Sequence, residues 1–159
     1  SVMRPIFLFD LDDTTVCSHQ RQGDTLEDWR RMNTPANVMK DTMLPLADDM
    51  VNAMAEGLDV GIMTSRVLGH ADKVWLNMRG MLADTIYSRS PEDNRKCGEF
   101  KLAKMYSMAM DRRVAVEELK NRVILFDDNS EVQLTLRNAG FRVICPVEYN
   151  NKRTLKKAV

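Results

Sequence analysis

The chain has little of what would commit it to a simple class. Lys plus Arg number 23 and Asp plus Glu number 23, so there is no net charge. A broad basic field for nucleic acid is therefore absent, and such binding would need a local patch. The three cysteines, Cys17, Cys97 and Cys145, are odd in number and lack metal-site spacing, which suits free thiols in a reducing compartment. No apolar run approaches the ~20 residues of a membrane span. The run after Pro5 is short and ends in acid, so no secretory leader is expected. No Gly-x4-Gly-Lys-Ser/Thr phosphate loop occurs, so no kinase domain of that type is expected in this chain. Aromatics are only 6%, and the twelve methionines read as adaptable core filling. A length of 159 residues suits a single domain over 1–159 with at most a small flap.

What is present is a series of short apolar runs that do not alternate, the mark of strands buried on both faces. They are Ile6–Phe9, Val60–Met63, Thr85–Tyr87, Val123–Phe126 and Phe141–Ile144. Between them the spacing predicts helices over Leu26–Met32, Leu44–Ala55, Gly69–Arg79, Glu99–Met110 and Glu131–Asn138, with Gly57 and Gly140 as stops. Residues 15–42, polar and irregular apart from the first helix, read as a small flap in which Trp29 packs inward. Val74, Trp75 and Met78 share one helix face, and Leu102, Met105, Tyr106 and Ala109 another. The basic tail from Asn150, with Lys152, Arg153, Lys156 and Lys157, reads as a solvated end. Right-handed crossovers then give an α/β fold, a Rossmann-like parallel sheet with helices on both faces.

Three of the strands end in reactive groups. The first delivers Asp10 and Asp12, the second Thr64, Ser65 and Arg66, and the fourth Asp127 and Asp128. In a parallel sheet all lie at the carboxyl edge, where open α/β sheets place ligands. The acids suit Mg²⁺, a hard cation that prefers oxygen. A phosphate near them would need Thr64 and cations such as Arg66 and Lys101 to screen it. Each end has an innocent reading as a helix cap, but three in register are not expected by accident.

The ordered set Asp10-Leu11-Asp12-Asp13-Thr14, Thr64, a lysine and Asp127-Asp128 resembles the haloacid-dehalogenase phosphatase superfamily, from about Ile6 to Val147. More narrowly, Arg89, Asp93, Arg95, Lys96 and Lys101 are similar in spacing to the phosphatase domain of the bacteriophage polynucleotide kinase/3′-phosphatase family, as are Arg66 after Thr64 and Arg21 after Asp10. Two departures stand out: Cys97 replaces an acid of that family, and Asp13 replaces the usual glycine.

The resemblance implies a HAD-like, Mg²⁺-dependent phosphomonoesterase. Asp10 would attack phosphorus to form an aspartyl-phosphate. Asp12 would shuttle the proton, with a pKa raised by neighbouring acids, and would meet the metal through its main-chain carbonyl. Asp10, Asp127 and Asp128 complete the implied metal site; which of the last two ligates directly stays open. Thr64, Ser65 and Lys101 are implied phosphate binders, and Arg21, Arg66, Arg89, Arg95 and Lys96 implied substrate contacts. His19 and His70 are given no catalytic part. The implied substrate is a nucleic-acid 3′-phosphate end, with free nucleotides or other small phosphoesters as the alternative. A non-catalytic binding module on the same fold is the competing class. No membrane partner is expected, and the expected location is the cytoplasm, that of the host if the chain is phage-encoded.

Overall fold

The computed structural model describes residues 3–158, with side chains as far as Thr154, so the Lys156 and Lys157 side chains lie outside the described residues. In chain order the elements are β1 (Ile6–Phe9), β2 (Val16–Cys17), a 3-10 turn (His19–Arg21), α1 (Leu26–Met32), α2 (Pro35–Val38), β3 (Thr42–Met43), α3 (Pro45–Ala55) and β4 (Asp59–Met63). There follow α4 (His70–Met78), β5 (Thr85–Tyr87), α5 (Cys97–Arg112), α6 (Val116–Arg122), β6 (Val123–Phe126), α7 (Ser130–Asn138), β7 (Arg142–Ile144) and α8 (Val147–Ala158).

The main sheet is parallel with strand order β5-β4-β1-β6-β7. β1 is central, and Phe9 is level with Ile62 on β4 and Phe126 on β6. Its four apolar residues divide between two cores, which is why they do not alternate with polar ones. Ile6 and Leu8 join Met105, Met108, Leu119, Val132 and Leu136 from α5, α6 and α7. Phe9 joins Val38, Leu46, Met50, Trp75 and Leu76 from α2, α3 and α4. The rings of Phe9 and Phe126 stack at 4.8 Å across the strands. Gly61 on β4 leaves room for this packing, since a Cβ there would come within 2.9 Å of Leu8 Cδ2.

The predicted strands and the five predicted helices are present, with ends shifted by two residues at most. Gly57 and Gly140 follow their helices at φ of 79° and 95°, as helix-stopping glycines do. Three expectations are corrected. On α4, Val74 and Met78 are exposed while Trp75 and Leu76 are buried, because the sheet takes a narrower stripe than the periodicity suggested. On α5, Tyr106 faces solvent and Phe100 and Met108 fill the core. The flap is more regular than expected, with β2 and β3 paired antiparallel and α2 between. The tail forms the helix α8, packed against α3, and its residues 151–154, Lys152 and Arg153 among them, are solvated as expected. Its Tyr149 hydroxyl donates to Asp49, and Lys152 pairs with Glu148 at 2.9 Å.

Candidate active site

The segment after β1 is wound tightly. The carbonyl of Leu11 accepts from the backbone N–H groups of Thr14, Thr15 and Val16 at 3.1, 2.9 and 2.9 Å. This turn needs a left-handed residue, and Asp13 supplies it at φ 64°. Asp is among the few non-glycine residues that tolerate this conformation, which accounts for its standing where the family carries glycine. The Thr15 hydroxyl donates to the Asp10 carbonyl at 2.8 Å and clips the loop to the strand end.

Side by side at the carboxyl edge of β1 and β6 lie Asp10, Asp127 and Asp128, with one oxygen of each within 4.8 Å of the others. Lys101, only 2% exposed, reaches in from the first turns of α5. Its Nζ donates to Asp10 Oδ1 at 2.9 Å and to Asp127 Oδ2 at 2.5 Å. Thr14 sits on the other side of Asp10. Its Oγ1 lies 3.2 Å from both Asp10 Oδ2 and Asp128 Oδ1 and accepts from the Asp128 N–H. Crowding and burial disfavour ionisation of Asp10 and of the half-buried Asp128. Burial, then the Asp127 charge, push Asp10 well above the ordinary carboxylate range, against the pull of Lys101. The same two causes raise Asp128 to about 6. Burial would discharge Lys101, but Asp10 and Asp127 outweigh it and hold the ammonium firmly charged. The donor set is all hard oxygen with excess negative charge, which fits Mg²⁺.

Asp12 differs from expectation. Burial works to raise its pKa, yet the net shift is downward because Arg66 lies against it. Arg66 donates from NH2 to Asp12 Oδ1 at 2.5 Å and from Nε to Oδ2 at 3.2 Å, and Ser18 Oγ donates at 2.6 Å. The neighbour that decides is a guanidinium and not another acid, so Asp12 is held ionised.

The cations divide sharply. Arg21 is 1% exposed and lies inside the flap, donating from Nε and NH2 to Asp41 at 2.9 and 2.8 Å and from NH1 to Asn33. Arg66 also pairs with Asp72 at 2.8 Å and Asp41 at 3.2 Å. Arg89, likewise buried, staples the loop before α5, donating to the carbonyls of Ser65, Asp93 and Arg95. Arg95 pairs with Asp93 at 2.6 Å. Lys96 alone of the five has no ion pair among the described residues.

These groups surround a cavity of about 460 Å³ whose walls include Asp10, Asp12, Ser65, Arg66, Trp29, Lys96 and Lys101. Thr64 does not line it; wholly buried, its hydroxyl accepts from the Arg66 N–H at 3.0 Å. Ser65 does, and its buried hydroxyl has no hydrogen-bond partner. Trp29, expected to pack inward, lies half-buried in this wall, with Arg21 5.6 Å from its ring centre. Sequence reasoning missed Thr14, Ser18 and Asn150. A hydroxyl four residues after Asp10, at a strand end, was the available signal for Thr14.

The comparisons agree with this architecture. The family model of the bacteriophage T5 5′-deoxynucleotidase matches residues 1–157. No curated protein matches the chain. Among solved structures, a haloacid dehalogenase-like hydrolase from Streptococcus pneumoniae is similar at 14% identity and a TM-score of 0.63, over 89% of this chain and 83% of that one. A hydrolase of the same family from Deinococcus radiodurans, with bound phosphate and sodium, is similar at 14% identity and a TM-score of 0.58, over 90% and 80%. A chain of the Pnkp1/Rnl/Hen1 RNA repair complex is similar at 17% identity and a TM-score of 0.61, over 89% of this chain but 42% of that one. At these identities the likeness speaks to fold, and the fold is that of the haloacid-dehalogenase phosphatases. With the family model matched over nearly its whole length, the chain belongs to the bacteriophage T5 5′-deoxynucleotidase family.

Proposed function

We propose that the chain is a Mg²⁺-dependent phosphatase of free deoxynucleoside 5′-monophosphates, acting as one domain over 1–159 with residues 15–42 as a flap over the site. The observation that carries the substrate reading is the engagement of the cations. A polynucleotide end would require several cations free to meet flanking phosphates. Arg21, Arg66, Arg89 and Arg95 are all held by carboxylates or carbonyls, and Arg30 in the same wall donates to the Asp93 carbonyl at 3.2 Å, which leaves Lys96. The walls instead offer Trp29, Leu26 and Val67 beside Asn94, a surface suited to a stacked base with a polar edge. Host cytoplasm, where such nucleotides occur, goes with this reading.

In this mechanism Asp10 attacks phosphorus, an aspartyl-phosphate forms, and the ester oxygen leaves with the nucleoside. Water then attacks phosphorus and releases the Asp10 carboxylate. Asp12, held ionised by Arg66, is prepared as the base for that water; to act as acid on the departing oxygen it must first gain a proton, as the Arg66 pair loosens. Lys101 and the unpartnered Ser65 hydroxyl are placed to hold phosphoryl oxygens. Asp10, Asp127 and Asp128 would hold Mg²⁺, whose charge offsets the repulsion between the carboxylates and the phosphate.

The test is phosphate release from the four deoxynucleoside 5′-monophosphates and from a 3′-phosphorylated oligonucleotide, with Mg²⁺. The monophosphates are expected to turn over at least ~100-fold more efficiently, a difference of about 2.7 kcal/mol in transition-state binding. An oligonucleotide that is the better substrate refutes the nucleotide reading. An Asp10→Asn variant as active as the parent refutes the nucleophile and favours a binding module.

A further inference from the structure

The C-terminal helix carries a side chain that the proposed mechanism does not use. Asn150, in the first turns of α8, is 5% exposed and far in sequence from the site. Its Oδ1 accepts from the Leu46 N–H at 2.9 Å, and its Nδ2 donates to the Thr14 carbonyl at 2.9 Å. The first contact caps α3 from another helix, because Leu44 at the α3 N-cap makes no side-chain cap bond. The second reaches the loop after β1. The two ends of the carboxamide are not interchangeable, since one faces a donor and the other an acceptor.

Thr14 is itself fully buried, and its hydroxyl lies between Asp10 and Asp128. The N–H groups of Thr14 and Thr15 are both tied to the Leu11 carbonyl, and Asn150 holds the Thr14 carbonyl from the opposite side of that peptide. We propose that Asn150 is a positioning residue for Asp10, holding the Thr14 carbonyl so that the Thr14 hydroxyl stays wedged between Asp10 and Asp128. This rests on Asp10 as nucleophile, not on the identity of the substrate. α8 thus fixes the geometry of attack as well as covering α3.

Asn150→Asp separates the two duties. Its carboxylate still accepts from Leu46, as a good helix-capping residue does, but it sets an oxygen against the Thr14 carbonyl. Tyr149→Phe is the control, since it removes the bond to Asp49 between α8 and α3 and leaves Thr14 untouched. Both are assayed as the full chain on p-nitrophenyl phosphate and a deoxynucleoside 5′-monophosphate, below their melting midpoints and per folded molecule. Asn150→Asp is expected to lose roughly tenfold to hundredfold in kcat with KM within about twofold, and to need more Mg²⁺ for half-maximal rate. Tyr149→Phe is expected to keep kcat within about twofold while melting lower. Asn150→Ala, read the same way, should lose kcat as well as melting temperature. Parental kcat in Asn150→Asp beside an inactive Asp10→Asn overturns the positioning role alone. Activity in Asp10→Asn overturns the nucleophile on which it rests.

Discussion

Replacing Arg21 with methionine separates two roles for that residue. As a substrate contact it would raise KM when removed; as the buried clamp of the flap it would lower stability. The structure allows the second to be sized. Both side chains of the Arg21–Asp41 pair are fully buried, and the contact is bidentate at 2.9 and 2.8 Å. Removing one partner of a buried pair costs about 3–5 kcal/mol, because the other charge is left without compensation. Here Arg66 remains 3.2 Å from Asp41, and Gln20 still donates to it at 2.9 Å. Methionine also refills much of the apolar volume. The loss is therefore placed at ~2–3 kcal/mol, below the general range. At about 2–4 °C per kcal/mol for a chain of this size, melting should fall by ~4–12 °C. Thermal melts followed by circular dichroism give the first number, and steady-state kinetics should show KM within about twofold of the parent. Adding Asp41→Asn should cost less than the sum of the single changes, by ~0.5–3 kcal/mol of coupling. An unchanged melt with KM raised tenfold or more would refute the reasoning and return Arg21 to the substrate.

Two further outcomes follow from the site. Asp10 and Asp128 titrate higher in the folded chain than their ordinary values, Asp128 at about 6. The stability they contribute is present below the unfolded pKa and is lost as pH rises through the folded one, so metal-free protein should melt lower at pH 7 than at pH 4.5. Mg²⁺ at a hundred times its Kd should restore about 2.7 kcal/mol at neutral pH and far less at pH 4.5, where protons hold the oxygens; equal gains at both would refute this cluster as the metal site. At Asp13, whose φ is 64°, Asp13→Val should destabilise by ~1–2 kcal/mol in urea titrations while Asp13→Gly stays within about 1 kcal/mol of the parent.

The strands and their reactive ends were legible because a buried parallel strand leaves a local mark: a few apolar residues without alternation, stopped by acids. β1, β5 and β6 match their predicted ranges residue for residue. What escaped was set by partners remote in sequence. Nothing near Arg21 announces that Asp41 will bury it, and nothing near Asp12 announces Arg66, so the cations read as free and Asp12 as crowded by acids. The one-to-two-turn helices α2 and α6 are too short to display a period. α8 is polar almost throughout, and among the described residues its side-chain hydrogen bonds to the body come from the Asn150 carboxamide and the Tyr149 phenol. Trp29 was expected to pack inward, and hydrophobicity alone does not say whether inward means a core or a cavity wall.

The position of β1 at the centre of the sheet also bears on how activity is acquired. Lys101 meets Asp10 across 91 residues, Thr14 meets Asp128 across 114, and Asn150 meets Thr14 across 136. Contacts of such separation carry a large loop-closure cost and tend to form late. During synthesis Asp10 is made 91 residues before Lys101, and Thr14 114 residues before Asp128, so these contacts can form only long after the first acid has appeared. Recovery of turnover after dilution from denaturant should accordingly lag the return of helical signal, and phosphate release would time the last event of folding.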